Sequence, residues 1–354
     1  MRNRMKIFIA VISFVVALSL GLGIGLETAQ AQQLIKAEGV TTTNQITTKK
    51  VETQKKKTDW KKITLSGDKE DSYVLKYDAY AEGKKVILFF QKGVTVKGDM
   101  LKLVASYMKD IEEVSGFTYG ATDKYLCDLD WREQYFKEDS FKNVNRNNKK
   151  VNVIVCKDMG IYSQYAWECG VVLDQKDFDY DYNGYQTICH ELAHTVRLQN
   201  GVNLGSTLEE GFACYVEEQL ARHIKSPMWQ MAQYYYPASY DDSIISKGKA
   251  GFQESFKEND DNYHYGFRFV HFLTDTYGED IIGKLTKEAN RQKISIIYAT
   301  NDKERKNNNN QLIRVIKAVT SEDVFQKFAD WNKNHWDEKA SEYREYMLSL
   351  GCEF

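Results

Sequence analysis

Two histidines four residues apart, with a glutamate directly after the first, could do metal chemistry. They are His190, Glu191 and His194, in the segment TICHELAHTVR. On a helix, residues four apart project from one face, so both imidazoles could bind a single Zn²⁺ at about 2 Å. The glutamate could take a proton from a water on that ion without binding the ion itself. The spacing therefore predicts a zinc site with a general base.

The H-E-x-x-H pattern alone does not establish a metal site, because a chain with six histidines contains it by chance in roughly one case in a hundred. A third ligand is needed to support it. A catalytic zinc takes three protein ligands and keeps one open position. Glu209 and Glu210 follow in GSTLEEGFACYVEEQL, which predicts a second helix capped by Ser206 or Thr207. Glu210 is the preferred ligand, 16 residues after His194. The alternative for either glutamate is a charge stabilised by the helix dipole.

Three segments, CHELAHTVR, TLEEGFACYVEE and YHYGFRFVHFL, resemble the gluzincin metallopeptidases. They resemble more closely the basic secretory protein family, a peptidase-like group of plants and microbes. The matching positions run from Glu210 to Val216 and from Tyr263 to Phe269, and the resemblance covers about residues 84–335. It implies a zincin-type fold and a third ligand at Glu210. The chain departs from that family in its mildly acidic pI of about 6.4 and in a long stretch at 221–261.

Tyr263 is the candidate donor to a developing oxyanion, both by the resemblance and because a phenol donates without carrying charge. Tyr265 and His264 are alternatives, and so is a purely packing role for Tyr263. The strand predicted in ECGVVLD, if it forms the sheet edge, could hold an extended peptide by strand addition. Glu217 is either a partner of a ligand histidine or a solvated helix residue.

The N-terminus is typical of an export signal. A basic start is followed by an apolar run from Ile7 to Leu26, and Ala29 and Ala31 complete an A-x-A cleavage pattern. Residues 1–31 are therefore predicted to be a signal peptide, with a retained membrane anchor as the alternative. Either way, we expect a secreted or extracytoplasmic protein.

Residues 32–58 are rich in Thr and Lys and predict a disordered tether. Its lysines could associate with an anionic cell surface, or they could simply be solvated. Residues 32–83 could also act as a propeptide that masks the cleft. The net charge of −2 gives no basic field for nucleic acid, and we expect a monomer that acts on a peptide or protein.

An α+β, zincin-like domain is predicted for residues 59–354. Strands should dominate 59–183, as a small mixed sheet, and helices should dominate 184–354, starting with the H-E-x-x-H helix. The patterns indicate a hairpin through EGKK, a helix ending at Gly116, strands in KKVNVIVC and AWECGVVLD, and a loop at KERKNNNNQ.

Two other features of the sequence are not part of the predicted zinc site. Four of the six cysteines lie in apolar stretches and are interpreted as buried, although an exported chain could form up to three disulfides; the four are Cys156, Cys169, Cys189 and Cys214. The segment DYDYNG, from Asp179 to Gly184, imitates the start of a calcium loop but is more simply a turn before the motif helix.

The sequence therefore predicts an exported zinc peptidase with ligands His190, His194 and Glu210 and the base Glu191. A zinc-containing binding protein without turnover is one alternative. A metal-dependent hydrolase of a non-peptide amide is another.

Overall fold

A computed structural model describes eleven stretches of the chain: 61–68, 74–95, 99–120, 135–144, 149–159, 164–178, 182–225, 242–255, 259–296, 299 and 301–350. The predicted signal peptide, which contains the apolar run, and the predicted tether lie outside these stretches, and both stay predictions. Among the described helices, none combines the length and the hydropathy needed to cross a membrane.

A six-stranded mixed sheet forms the first half of the molecule. Its strands are β1 (Lys61–Asp68), β2 (Val74–Glu82), β3 (Val86–Gln91), β4 (Val151–Cys156), β5 (Tyr165–Trp167) and β6 (Gly170–Asp174), in the order β1-β2-β3-β4-β6-β5. The β2–β3 pair is the predicted hairpin, while β3, β4 and β6 run parallel. Strands β3 and β4 are apolar at nearly every position because both faces of the sheet are covered.

The segment AWECGVVLD was predicted as one strand, and this is wrong. The chain turns at Glu168 and Cys169, so that Trp167 pairs with Gly170 and β5 runs antiparallel to β6. Strand β6 lies between β4 and β5, and the two edges of the described sheet are β1 and β5. The expectation that ECGVVLD forms the edge is therefore corrected to the three residues of β5.

Helices make up the second half, as predicted. Two helices come earlier, α1 (Met100–Ser115) and α2 (Glu138–Val144). The later ones are α3 (Tyr182–Asn200), α4 (Ser206–Ile224), α5 (Ser243–Ser246), α6 (Lys249–Glu254), α7 (Asn259–Tyr277), α8 (Ile281–Gln292), α9 (Asp302–Val319) and α10 (Val324–Ser349). The predicted α+β class, with a mixed sheet followed by a helical half, is confirmed.

The predicted loop at KERKNNNNQ is wrong, because these residues form the first half of α9. The Asn301 side chain caps the helix by accepting the Glu304 N–H at 3.0 Å. Asn308 and Asn309 are buried, and the apolar residues that follow, including Leu312 and Ile316, bury one face of the helix. Tertiary packing overrides the low helix propensity of the asparagines.

The two faces of the sheet support two apolar clusters. Leu88 and Phe90 of β3 point into the larger cluster, which includes the buried sides of the long helices. Ile87 and Phe89 point the other way, into a smaller aromatic cluster with Phe136 and Phe141. The alternation follows the two-residue period of a strand.

The four cysteines interpreted as buried are buried in the structure, namely Cys156, Cys169, Cys189 and Cys214. Cys127 and Cys352 lie outside the described residues.

Helices α4 and α7 cross with their backbones in contact, and two glycines allow it. A Cβ added at Gly211 would lie 2.2 Å from the carbonyl carbon of Gly266, and one added at Gly266 would lie 2.1 Å from the Thr207 carbonyl oxygen. This close crossing brings Tyr263, on α7, next to α4 and the candidate ligand Glu210.

We expect Gly211→Ala to destabilise the protein by at least about 1–3 kcal/mol, because its methyl group meets backbone and α7 has to move away. Gly283→Ala in α8 is the matched control. Its Cβ meets nothing within 4 Å, so it should be neutral or stabilise by up to about 1 kcal/mol. Urea unfolding of both variants checks this, and equal stabilities would contradict the close crossing.

Asp177, after β6, is a buried carboxyl whose pKa burial raises to about 7 from 3.8, with a further contribution from the nearby charge of Asp174. Its oxygens accept the Asp174 N–H at 2.9 Å and the Gln164 amide at 2.9 and 3.0 Å. Between about pH 4 and 7 the folded chain therefore holds a proton that the unfolded chain has released. The resulting stabilisation is complete below the unfolded pKa and is lost as the pH rises through 7.

We expect the stability of the wild type relative to Asp177→Asn to fall by up to about 4 kcal/mol between pH 4 and pH 7. The asparagine cannot ionise, and its carbonyl oxygen can still accept the Asp174 N–H. Urea unfolding of both proteins at unit pH steps measures the difference. Parallel pH profiles would show that Asp177 ionises normally in the folded chain.

Candidate metal centre

Helix α3 has one face in the core and one face towards α4. Its core residues Ile188, Leu192 and Val196 are fully buried. The Tyr119 hydroxyl donates to the Leu192 carbonyl at 2.8 Å, and the Thr195 hydroxyl donates to the Gly170 carbonyl at 3.2 Å. These contacts fix α3 against Tyr119 and the sheet. The site side chains project from the opposite face of α3 and are therefore held in a fixed position.

The structure brings His190, His194 and Glu210 together. The two Nε2 atoms lie 3.1 Å apart, and Glu210 Oε2 lies 3.1 Å from His190 Nε2 and 3.2 Å from His194 Nε2. Each side chain keeps 12% or 13% of its surface exposed. Three ligand atoms therefore form a nearly equilateral triangle on side chains that are partly accessible to solvent.

This triangle fits a zinc ion. Ligand atoms about 2.0–2.1 Å from a tetrahedral ion lie roughly 3.3 Å from one another, close to the separations observed. Two imidazoles and one carboxylate are also a ligand set that catalytic zinc takes, with a fourth position left for water. His190, His194 and Glu210 are thus the residues that could hold the metal.

The charges of the site also favour a cation. Burial works to raise the pKa of Glu210, but His194 and His190 outweigh it and hold this pKa well below its usual range. Burial works to lower the pKa of His190, but Glu217 and the other hydrogen-bonding neighbours outweigh it and raise this pKa well above its usual value. The cluster therefore attracts positive charge, as a proton or as a metal ion.

Glu217 is a buried partner of His190, so the solvated alternative is wrong. One carboxylate oxygen contacts His190 Nδ1 and the other accepts a hydrogen bond from the Gln186 amide. Only 1% of the Glu217 side chain is exposed. When Nδ1–H donates to Glu217, the lone pair of Nε2 faces the metal position, which is the usual orientation of a zinc-binding histidine.

Two other groups of described residues could offer three ligand atoms. His190, Cys214 and Glu217 form a deeper set, in which Cys214 and Glu217 are buried and Glu217 is already engaged by Gln186. The other set is on the surface: His223 Nε2 lies 3.8 Å from carboxylate oxygens of Asp110 and Glu113, the separation of a loose ion pair. The triangle around His194 is the set that combines close ligand atoms with access.

Glu209, the alternative third ligand, points elsewhere. Its carboxylate is 6% exposed and pairs with the buried guanidinium of Arg197, with Nε donating to Oε2 at 2.6 Å. The helix also starts differently from the prediction, because its N-cap is Gly205 rather than Ser206 or Thr207. Gly205 has φ +83°, a conformation that glycine adopts without strain.

Glu191 and Tyr263 lie beside the triangle. Burial raises the pKa of Glu191, although the neighbouring His190 and His194 oppose the rise. The Tyr263 ring stacks on His190 with centroids 5.9 Å apart. Burial, together with the charge of Glu210, raises the pKa of Tyr263 well above its usual value, so the phenol keeps its proton. The alternative Tyr265 packs in the core against Phe252, Phe269 and Phe328.

Sequence reasoning missed Gln186 and Arg197. Together with the two histidines they form the series 186, 190, 194 and 197, which lies on one face of a helix. That spacing was the available signal, since polar residues continue the ligand face by one turn in each direction. In the DYDYNG segment, Asp179 and Asp181 lie outside the described residues, and the calcium hypothesis stays a prediction.

No protein-family model and no curated protein matches the chain. Solved structures do resemble it. A two-domain M1 zinc metallopeptidase bound to L-arginine shares 13% identity at a TM-score of 0.39, over 77% of this chain and 51% of that one. An M1 zinc metallopeptidase from Deinococcus radiodurans shares 15% identity at 0.38, over 70% and 48%. Another, bound to a Tyr-Ser-Ala substrate, shares 13% at 0.39, over 77% and 60%.

The chain thus spans between 48% and 60% of the length of these metallopeptidases. At such identities and TM-scores the likeness assigns neither a family nor an activity. The resemblance to the basic secretory protein family stays a prediction, and the function has to be inferred from the site residues.

Proposed function

We propose that this chain is a zinc-dependent peptidase of the gluzincin type, with His190, His194 and Glu210 as metal ligands. The observation that carries the proposal is the accessible triangle of two imidazole nitrogens and one carboxylate oxygen, with separations of 3.1–3.2 Å, beside Glu191. A structural zinc normally has four protein ligands and needs no base next to it.

A zinc ion bound there would lower the pKa of a coordinated water to about 7 and polarise a carbonyl oxygen. Glu191 accepts the proton of the water that attacks the peptide carbonyl and passes it to the leaving amine. The half-buried position of Glu191 suits both steps, because a raised pKa makes the carboxyl a better proton carrier near neutral pH. Glu217 holds His190 in the orientation that metal binding needs.

The Tyr263 hydroxyl donates a hydrogen bond to the oxygen on which negative charge develops. We expect Tyr263→Phe to lower kcat by about 10²–10³-fold, the usual effect of removing one such donor. Zinc content should not change, because the ring that stacks on His190 remains. Steady-state kinetics with parallel zinc quantification measure both quantities. Unchanged kcat would leave Tyr263 with a packing role only.

Export is part of the proposal and rests on the basic start, the apolar run and the A-x-A pattern of residues 1–31. We propose a peptide or protein substrate outside the cytoplasm. We propose that β5, at one edge of the described sheet, holds an extended peptide by strand addition.

The test is zinc quantification on the purified wild type together with hydrolysis of a broad peptide library followed by mass spectrometry. We expect one zinc per chain, and cleavage that a chelator removes and added zinc restores. Bound zinc without cleavage of any peptide would favour the binding-protein alternative or a non-peptide amide substrate. A wild type that binds no zinc would overturn the proposal.

A further inference from the structure

Arg197 and Glu209 form a buried ion pair between the helix of the two histidines and the helix of the third ligand. Arg197 has no exposed surface, and Glu209 is 6% exposed. The guanidinium approaches both carboxylate oxygens, with Nε 2.6 Å from Oε2 and Nη2 2.5 Å from Oε1. The Nε contact is a hydrogen bond and the Nη2 contact is an ion pair, so together they fix direction as well as distance.

The same carboxylate also holds the start of α4. Glu209 Oε1 accepts the Leu204 N–H at 2.7 Å, just before the helix begins at Ser206. Glu209 therefore ties the last turn of α3, through Arg197, to the turn that leads into α4. An isolated buried carboxylate is unfavourable, whereas that of Glu209 has both the Arg197 guanidinium and the Leu204 N–H as partners.

On each helix, the ion-pair residue lies close in sequence to a candidate metal ligand. Arg197 is three residues after His194, one turn along the same face of α3. Glu209 directly precedes Glu210, and successive helix residues point about 100° apart. With Glu209 held against Arg197, the rotation of α4 about its axis is set, and Glu210 Oε2 comes to lie 3.2 Å from His194 Nε2.

We propose that the Arg197–Glu209 pair is the positioning element that aims Glu210 at the two histidines. This inference rests on the proposed zinc function and deepens it. The Arg197 and Glu209 side chains bond to each other and to the Leu204 N–H, so the pair acts through the backbone of α3 and α4. Its loss should weaken metal binding even in a variant that folds normally.

The test compares zinc dissociation constants, measured by chelator competition, in folded variants. Glu209→Gln keeps the size and the acceptor for Leu204 N–H but leaves Arg197 unpaired. Arg197→Met with Glu209→Gln removes both charges, so no charge is orphaned if the single variant fails to fold. Arg197→Lys keeps the charge without the two-point contact. Leu312→Ala, a buried truncation in α9, is the control for general destabilisation.

We expect the double variant to bind zinc about 10–100-fold more weakly than the wild type, the range found when groups that orient metal ligands are removed. The zinc affinity of Arg197→Lys should lie between those of the wild type and the double variant. Leu312→Ala should bind zinc as the wild type does. Wild-type zinc affinity in the folded double variant would overturn the positioning role while leaving the zinc function intact. Equal losses in the double variant and Leu312→Ala would overturn it too. Absence of zinc binding by the wild type would overturn the proposed function and this inference with it.

Discussion

Glu191→Gln should abolish peptide hydrolysis while the protein still binds one zinc ion per chain. Glutamine has the same shape but cannot accept and pass on the proton, and a positioned general base contributes about 10²–10⁴-fold to the rate. The side chain lies next to His190 in the chain and is not part of the ligand triangle, so zinc affinity should stay within a factor of a few. Steady-state kinetics and zinc quantification on the same preparation measure both effects.

Glu342→Gln is the control for this substitution, because Glu342 is an exposed residue of α10. It makes the same change of charge and should behave as the wild type. A Glu191→Gln protein that hydrolyses peptides at the wild-type rate would rule out Glu191 as the base. One that has lost its zinc would show that Glu191 supports the metal directly.

Glu210→Gln should lose most zinc affinity, and hydrolysis with it. The amide keeps the shape of the side chain but removes the negative charge that lies 3.1 and 3.2 Å from the two imidazoles. The loss should exceed the 10–100-fold expected for residues that only orient ligands, because a ligand itself is changed. Chelator competition measures the affinity, and excess zinc should restore only part of the activity.

The comparison with Glu209→Gln makes this prediction specific. Both substitutions remove one carboxylate from the same turn of α4, yet only Glu210 belongs to the triangle. Glu210→Gln should therefore lose more zinc affinity than Glu209→Gln. A larger loss for Glu209→Gln, or none for Glu210→Gln, would mean that another acid completes the site.

The sequence predicted the parts of this molecule that depend on local periodicity. The β2–β3 hairpin, the helix ending at Gly116 and the face shared by His190 and His194 follow from spacings of two or four residues. The proximity of Glu210 was predicted through a resemblance together with the length of the connecting chain. These features need little information from distant residues.

The errors have a different physical origin. The asparagine-rich start of α9 was predicted as a loop because propensity disfavours helix there, whereas the cap at Asn301 and the packing of Leu312 stabilise it. The turn at Glu168 and Cys169 was missed because both flanking segments are apolar. The partners of Arg197 and Gln186 depend on the approach of α3 and α4, which no local pattern specifies.

The most direct test of the zinc site is the zinc X-ray absorption spectrum of the wild type loaded with one equivalent of metal. Ligation by His190, His194 and Glu210 predicts a first shell of nitrogen and oxygen at about 2.0–2.1 Å, with outer-shell scattering from two imidazoles, and no change in Cys214→Ser. A sulfur ligand at about 2.3 Å that disappears in Cys214→Ser would contradict it and place the metal in the buried set of His190, Cys214 and Glu217.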